Sequence, residues 1–202
     1  MVMNELAEFE LAVRLRREGA ALGEVFSFMS GLYFRGKAAY SSAFAAPPPG
    51  VPGSLVITAG RGLLPPETLI SFGDLLEIAD VPVDLSDPRY RDALERDALR
   101  LCGDISADCE VVLLGSIATS KYLEPLVAIF GSRLLFPSEF AGRGDMSRGG
   151  LMLRCARDGV ELDYVPACSA LRRGRRPPKL PKQSRVIVAG GVGKNPIVDP
   201  SA

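Results

Sequence analysis

The chain has 202 residues, 47% hydrophobic and 24% charged, the composition of a single globular domain with room for a substantial core. It contains no histidine and no tryptophan, so Ser-His-Asp, Cys-His and His-ligated zinc chemistry are excluded, and any acid–base work falls to Asp, Glu, Lys, Tyr or Cys. Its 24 basic and 24 acidic side chains cancel, but unevenly: residues 1–171 carry a net charge of −7 and the segment from Arg172 onward carries +7.

Residues 4–17 place Leu6, Phe9 and Val13 on one helical face, and Leu22, Val25, Phe26 and Met29 continue an apolar stripe beyond Gly19; two helices, or one broken helix, are expected. That stripe serves either core packing or a homodimer face, and core packing is the simpler role. The run AAPPPGVPG, residues 45–53, is a loop because proline lacks an amide donor and fixes φ. SLVITAG then reads as a buried strand, EVVLLGS at 110–116 and SRLLFPS at 132–138 share its character, and VELDYVP at 160–166 alternates like a strand nearer an edge.

Between the first two strands Asp87 is a helix N-cap with Pro88 at the first helical position, and Tyr90, Leu94, Ala98 and Leu101 share one face. A second helix is predicted over 120–130, where Pro125 is tolerable only inside the first turn. A third begins after Asp145 and stops at Gly159. Alternating strands and helices predict right-handed crossovers and parallel pairing. The expected fold is thus an α/β three-layer sandwich over residues 1–170, with a helical part in 1–45, a short, mostly parallel sheet and helices on both faces. A basic, proline-rich tail, residues 171–202, has the composition of a disordered arm.

Cys102, Cys109, Cys155 and Cys168 form no CxxC pair and no signal-peptide pattern is present, so reduced thiols in the cytoplasm are expected and no metal site is assigned. No apolar run approaches the roughly 20 residues needed to cross a bilayer, and no membrane partner is expected.

In sheets of this kind the loops after the strands form the crevice, so three segments are candidates to meet there. TAGRGLLPPE offers Arg61 between two glycines. GSIATSKY offers Ser116 and Thr119 before a helix and Lys121 after its start. PSEFAGRGDMSRGG brings Ser138, Glu139, Arg143, Asp145, Ser147 and Arg148 into one glycine-punctuated loop that enters a helix, a natural place for a phosphate, carboxylate or nucleotide. The plainer alternative is that the glycines turn tight loops, Ser120 and Asp145 cap helices, and the arginines are solvated or paired with Glu139. Gly149 and Gly150 inside a helical start cost on the order of 1 kcal/mol each relative to alanine, which implies close approach of a ligand or of the sheet. Among groups that could do chemistry, Glu139 and Asp145 lead, since a carboxylate among glycines and arginines can orient a water or stabilise a cation. Asp163 and Tyr164 read better as edge-strand residues.

VAGGVGKN near the C-terminus falls short of a phosphate-binding P-loop: Val188 stands where glycine is required and Asn195 where Ser or Thr is. Three segments in order, GLYFRGKAAYSSAFA, LVITAGRGLLPPETLISFGDL and GDMSRGGLMLR, resemble a group of uncharacterised bacterial α/β proteins, distantly similar to uracil-DNA-glycosylase-like domains. The water-activating Asp-Pro and the His motifs of true uracil-DNA glycosylases are missing, so the resemblance implies an α/β sandwich with a loop-lined pocket and not base excision.

Two functional readings stand side by side. One is a pocket protein for a phosphorylated or nucleobase-containing small molecule, through Arg61, Ser116, Thr119, Lys121, Ser138, Arg143, Ser147 and Arg148, with Glu139 or Asp145 supplying hydrolase or transferase chemistry; no cofactor is named. The other is a non-enzymatic accessory domain whose basic tail, residues 172–185, docks nucleic acid or a protein partner.

Overall fold

The computed structural model describes residues 2–171 together with Gly174, Pro177, Pro178 and Leu180. Helices and short strands are interspersed along the chain, and the strands form three small sheets. The N-terminal third is helical. Helix α1 spans Glu10–Arg17; β1, Ala20–Ala21, follows; and α2 runs from Leu22 to Phe44 with a break at Gly31, whose φ is 59° and ψ −133°. The face of α1 that packs is not the expected one. Leu11, Ala12 and Leu15 are buried, whereas Leu6 and Phe9 are exposed, because the helix starts only at Glu10 and Leu6 lies outside it.

The segment after the proline loop also departs from expectation. Its strand, β2 (Val56–Thr58), pairs antiparallel with β3 (Gly62–Leu64) in a hairpin instead of joining the central sheet. Gly60 at φ 77° and Gly62 at φ 72° allow the chain to reverse there, and the Thr58 hydroxyl donates to the Gly62 carbonyl at 2.9 Å. Strand β4, Leu69–Ile70, pairs antiparallel with β1. Helix α3, Phe72–Asp80, has no counterpart in the sequence reading. Its signal was present: Ser71 and Asp74 cap each other reciprocally, the Asp74 amide donating to Ser71 Oγ at 3.1 Å and the Ser71 amide to Asp74 Oδ2 at 2.7 Å.

Helix α4, Pro88–Asp104, forms as predicted: the Asp87 carboxylate accepts the Arg89 amide at 2.9 Å, and Tyr90, Leu94 and Ala98 are buried. Strand β5 is Val111–Val112, α5 is Ser120–Phe130, β6 is Leu134–Pro137, α6 is Asp145–Asp158 and β7 is Tyr164–Pro166. Strands β5 and β6 are parallel and β7 closes the sheet antiparallel to β6. Among the described residues only that one pairing is parallel, so the mostly parallel sheet expected from the sequence gives way to mixed small sheets. The connection from β6 through α6 is long enough for a parallel crossover, but the chain leaves α6 at Gly159 and returns in the opposite sense.

Pro125 lies beyond the first turn of α5, contrary to expectation, and is buried. Its missing amide would have served the carbonyl of Lys121, four residues back. The hydroxyl of Tyr90 donates to that carbonyl instead, at 2.9 Å, so the freed acceptor is satisfied by α4.

Two apolar clusters result. The larger gathers α4, α5, β6 and α6 around Tyr90, Leu94, Leu126, Phe136, Phe140 and Met152. The smaller joins α1, the first half of α2, β4 and α3 around Leu15, Leu22, Val25, Ile70 and Leu75. The second half of α2 lies directly on α6: a Cβ on Gly36 would stand 2.6 Å from the Gly149 carbonyl oxygen, and one on Gly149 would stand 2.7 Å from that of Leu32. A helix, rather than a ligand or the sheet, is therefore what Gly149 admits. Among the described residues no helix is long and apolar enough to cross a membrane, and the four cysteines are free thiols.

Candidate functional site

The close approach of α2 and α6 assembles the site, because it brings side chains from the middle of one helix to the N-terminal turn of the other. The loop that feeds α6 is a 3-10 turn, Ser138–Phe140. Within it the Ser138 hydroxyl donates to Glu139 Oε2 at 3.0 Å, and Arg143 Nε donates to the Glu139 carbonyl at 2.9 Å. Arg143 thus meets the backbone of Glu139 and not its carboxylate, and its Nη1 reaches the Ser147 hydroxyl at 3.4 Å.

Arg148 is buried, only 8% exposed. Its Nε and Nη2 donate to the Phe140 carbonyl at 3.3 and 3.2 Å, its guanidinium lies 5.4 Å from the Phe140 ring centre, and Nη1 stands 3.8 Å from Asp145 Oδ1. This cation therefore holds the loop against the core while leaving one edge turned to α2.

Tyr33 is the joint between the second and third segments. Its hydroxyl donates to the Leu114 carbonyl at 3.1 Å, immediately before GSIATSKY. Burial raises the Tyr33 pKa, and Arg148 beside it opposes that rise. The Lys37 ammonium lies 4.1 Å from the centre of the same ring. Burial pulls the Lys37 pKa below the usual lysine range; Asp145 resists, by more than Arg148 adds to the fall. Tyr33 and Lys37 escaped the sequence reading because GLYFRGKAAY looks like an ordinary amphipathic helix; the signal that could have found them is Gly36 between them, a helix-interior glycine that marks close packing.

In the second segment Ser116 Oγ accepts the Ala118 amide at 3.3 Å. Thr119 precedes α5 as its cap residue without a side-chain capping bond, and Lys121 Nζ lies 5.3 Å from the Tyr122 ring centre. Helix α6 likewise begins without a side-chain cap, at Gly144 and not Asp145. Asp145 itself is exposed.

Arg61, expected at the same rim, belongs elsewhere. Its Nη2 donates to Asp74 Oδ1 at 2.5 Å and to Glu77 Oε2 at 2.6 Å, and it lines an open cleft of about 600 Å³ with Glu77, Val81, Arg89, Asp92 and Arg96. The hairpin that carries it points to α3 and α4, which is the consequence of β2 turning back on β3. Of the weaker candidates, Asp163 is exposed, and the Tyr164 hydroxyl donates to Glu161 Oε1 at 2.7 Å and sits 2.6 Å from that of Tyr40, a structural chain at the sheet edge. VAGGVGKN and most of the basic tail lie outside the described residues; a Cβ on Gly174, which is described, would stand 3.4 Å from the Gly142 amide nitrogen.

The site is thus built where β5 and β6 deliver their loops to the N-termini of α5 and α6. No protein-family model, no curated protein and no solved structure matches the chain. Its class rests on the fold itself: a mixed α/β protein with small sheets.

Proposed function

We propose that the chain binds a phosphorylated or nucleobase-containing small molecule at the rim shared by the second and third segments. The observation that carries this reading is the Tyr33 hydroxyl, which ties Leu114 to the neighbourhood of Arg148 and so joins the two loops around a buried guanidinium. Ser116, Thr119, Lys121, Ser138, Arg143, Ser147 and Arg148 are the ligand-binding set, and Arg61 falls outside it. Amides at the uncapped starts of α5 and α6 add donors of the kind that suit an anion. Glu139, held by the Ser138 hydroxyl, and Asp145, at the start of α6, are the groups available for hydrolase or transferase chemistry. In this reading the helices flank the central sheet as a three-layer sandwich in a cytoplasmic protein.

A thermal-shift screen of the full chain against nucleotides and sugar phosphates tests the proposal. Stabilisation by at least one phosphate compound, lost in Arg143→Gln and Arg148→Met, is the expected result. Stabilisation that persists in both variants removes it. The second reading, an accessory domain docking nucleic acid through its tail, draws on the charge of +7 beyond residue 171 and would appear as binding that deletion of residues 172–202 abolishes and added salt weakens steeply.

A further inference from the structure

Lys37 is the charged group that the proposed binding set leaves unused. It stands on the face of α2 that carries Tyr33, Gly36 and Tyr40, one turn from Tyr33, and it is half-buried. Among the described residues it makes no hydrogen bond and no ion pair; its ammonium lies over the Tyr33 ring.

The groups around it come from three helices. Tyr33 belongs to α2, Asp145 and Arg148 to α6, and Tyr122, which acts on Tyr33, to α5. Both tyrosines have their pKa raised by burial and are neutral at ordinary pH. The charge balance is then two cations against the carboxylate of Asp145, whose side chain is 66% exposed and 3.8 Å from Arg148. That carboxylate favours the charged form of Lys37 by more than Arg148 opposes it, but it is open to water and a single carboxylate does not balance two cations. Two neighbouring cations drawn out of water with one exposed carboxylate between them are costly, and Gly36 and Gly149 pack their helices at backbone contact, which sets the two close together.

We propose that this cluster is the seat of a dianionic phosphate monoester, with the Lys37 ammonium and Arg148 Nη1 as its two cationic contacts and Tyr33 as the spacer between them. The inference rests on the reading that the rim binds an anion, and it adds the charge of that anion and the residue that selects it. A carboxylate neutralises one cation. A phosphate monoester above its second ionisation, near pH 6, neutralises both, and its oxygens can meet the planar guanidinium and the point charge of the ammonium together.

Calorimetric titration of the full chain with phenyl phosphate, sulfate and benzoate provides the test. Phenyl phosphate affinity should rise about tenfold between pH 5 and pH 7 as the second proton leaves the ligand. Sulfate, doubly charged throughout, should bind with a flat profile, and benzoate should bind at least tenfold more weakly than phenyl phosphate at pH 7. Lys37→Met, which keeps the aliphatic stem over Tyr33, should lose at least tenfold in phenyl phosphate affinity with its unliganded unfolding midpoint unchanged or raised. Wild-type affinity in Lys37→Met, or a sulfate profile that follows the phosphate one, overturns the proposal. If Lys37→Met binds normally while Arg143→Gln and Arg148→Met abolish stabilisation by nucleotides, the dianion seat is wrong and the rim reading stands. If the wild-type chain binds no phosphate compound, the rim reading falls as well.

Discussion

Two arginine-bearing regions of the molecule handle positive charge in opposite ways. In the cleft around Arg61 each guanidinium meets a carboxylate: Arg61 with Asp74 and Glu77, Arg89 with Asp80 and Asp87, Arg96 with Asp97. Around Tyr33 the cations Lys37 and Arg148 share one exposed carboxylate at the limit of ion-pair distance. The first arrangement is complete as it stands, a surface network that ties the β2–β3 hairpin to α3 and α4. The second is short of negative charge. The Arg61 cleft is therefore not the better candidate site, since the presence of a cavity says nothing about whether the groups lining it already have partners.

The largest effect expected from breaking this contrast comes from Gly149→Ala. The new methyl would meet the Leu32 carbonyl at 2.7 Å and the Tyr33 Cα at 2.9 Å. Neither is a side chain that can swing away, so α2 and α6 must separate, at a cost of about 3 kcal/mol. Urea denaturation should show that loss, and phenyl phosphate binding should go with it because Lys37 and Arg148 no longer share Tyr33. An unchanged midpoint would mean the two helices have slack, and the cluster would lose its reason for holding two cations together.

Arg61→Met should do far less. Its side chain is 34% exposed and those of Asp74 and Glu77 are 28% and 71% exposed, so the network contributes roughly 1 kcal/mol or less. The same denaturation experiment measures this, and stabilisation by phosphate compounds should be untouched. If that stabilisation disappears instead, the ligand sits in the Arg61 cleft and the contrast is reversed.

The smallest effect is in the pH dependence, where the two regions have opposite signs. Hydrogen bonds from the Ser71 amide and hydroxyl, and then Arg61, hold the Asp74 pKa below the usual carboxylate range. Its contribution to stability is therefore present above about pH 3.9 and lost as pH falls toward the lowered value. Lys37 has its folded pKa below that of the unfolded chain, so between the two the unfolded state binds more protons and stability rises with pH. The rise should appear in the alkaline range below 10.5 as a difference between wild type and Lys37→Met, which cancels the tyrosines common to both. A difference that stays constant across that range would show Lys37 to be fully solvated.

Much of the local structure was legible because its causes are local. Asp87 and Pro88 start α4, the stretch 120–130 matches α5, and α6 ends before Gly159, each from signals that lie within a few residues of one another. The loop Ser138–Arg148 announced itself as the feature to examine, and Arg143, Ser147 and Arg148 do gather there. Pairing was less legible. The apolar run in SLVITAG predicts a strand but not its partner, and the turn at Gly60–Gly62 sent it into a hairpin, taking Arg61 with it.

From the sequence by itself follow the absence of imidazole chemistry, the split of charge between body and tail, and the mixture of helices with short strands. Tertiary structure alone decided which cations share too little negative charge. Lys37 and Arg148 are separated by more than a hundred residues, and nothing in either neighbourhood names the other. They meet because Gly36 and Gly149 leave no Cβ between their helices, so two backbones touch, and desolvation of a charge is a property of the space so enclosed rather than of the residue that carries it.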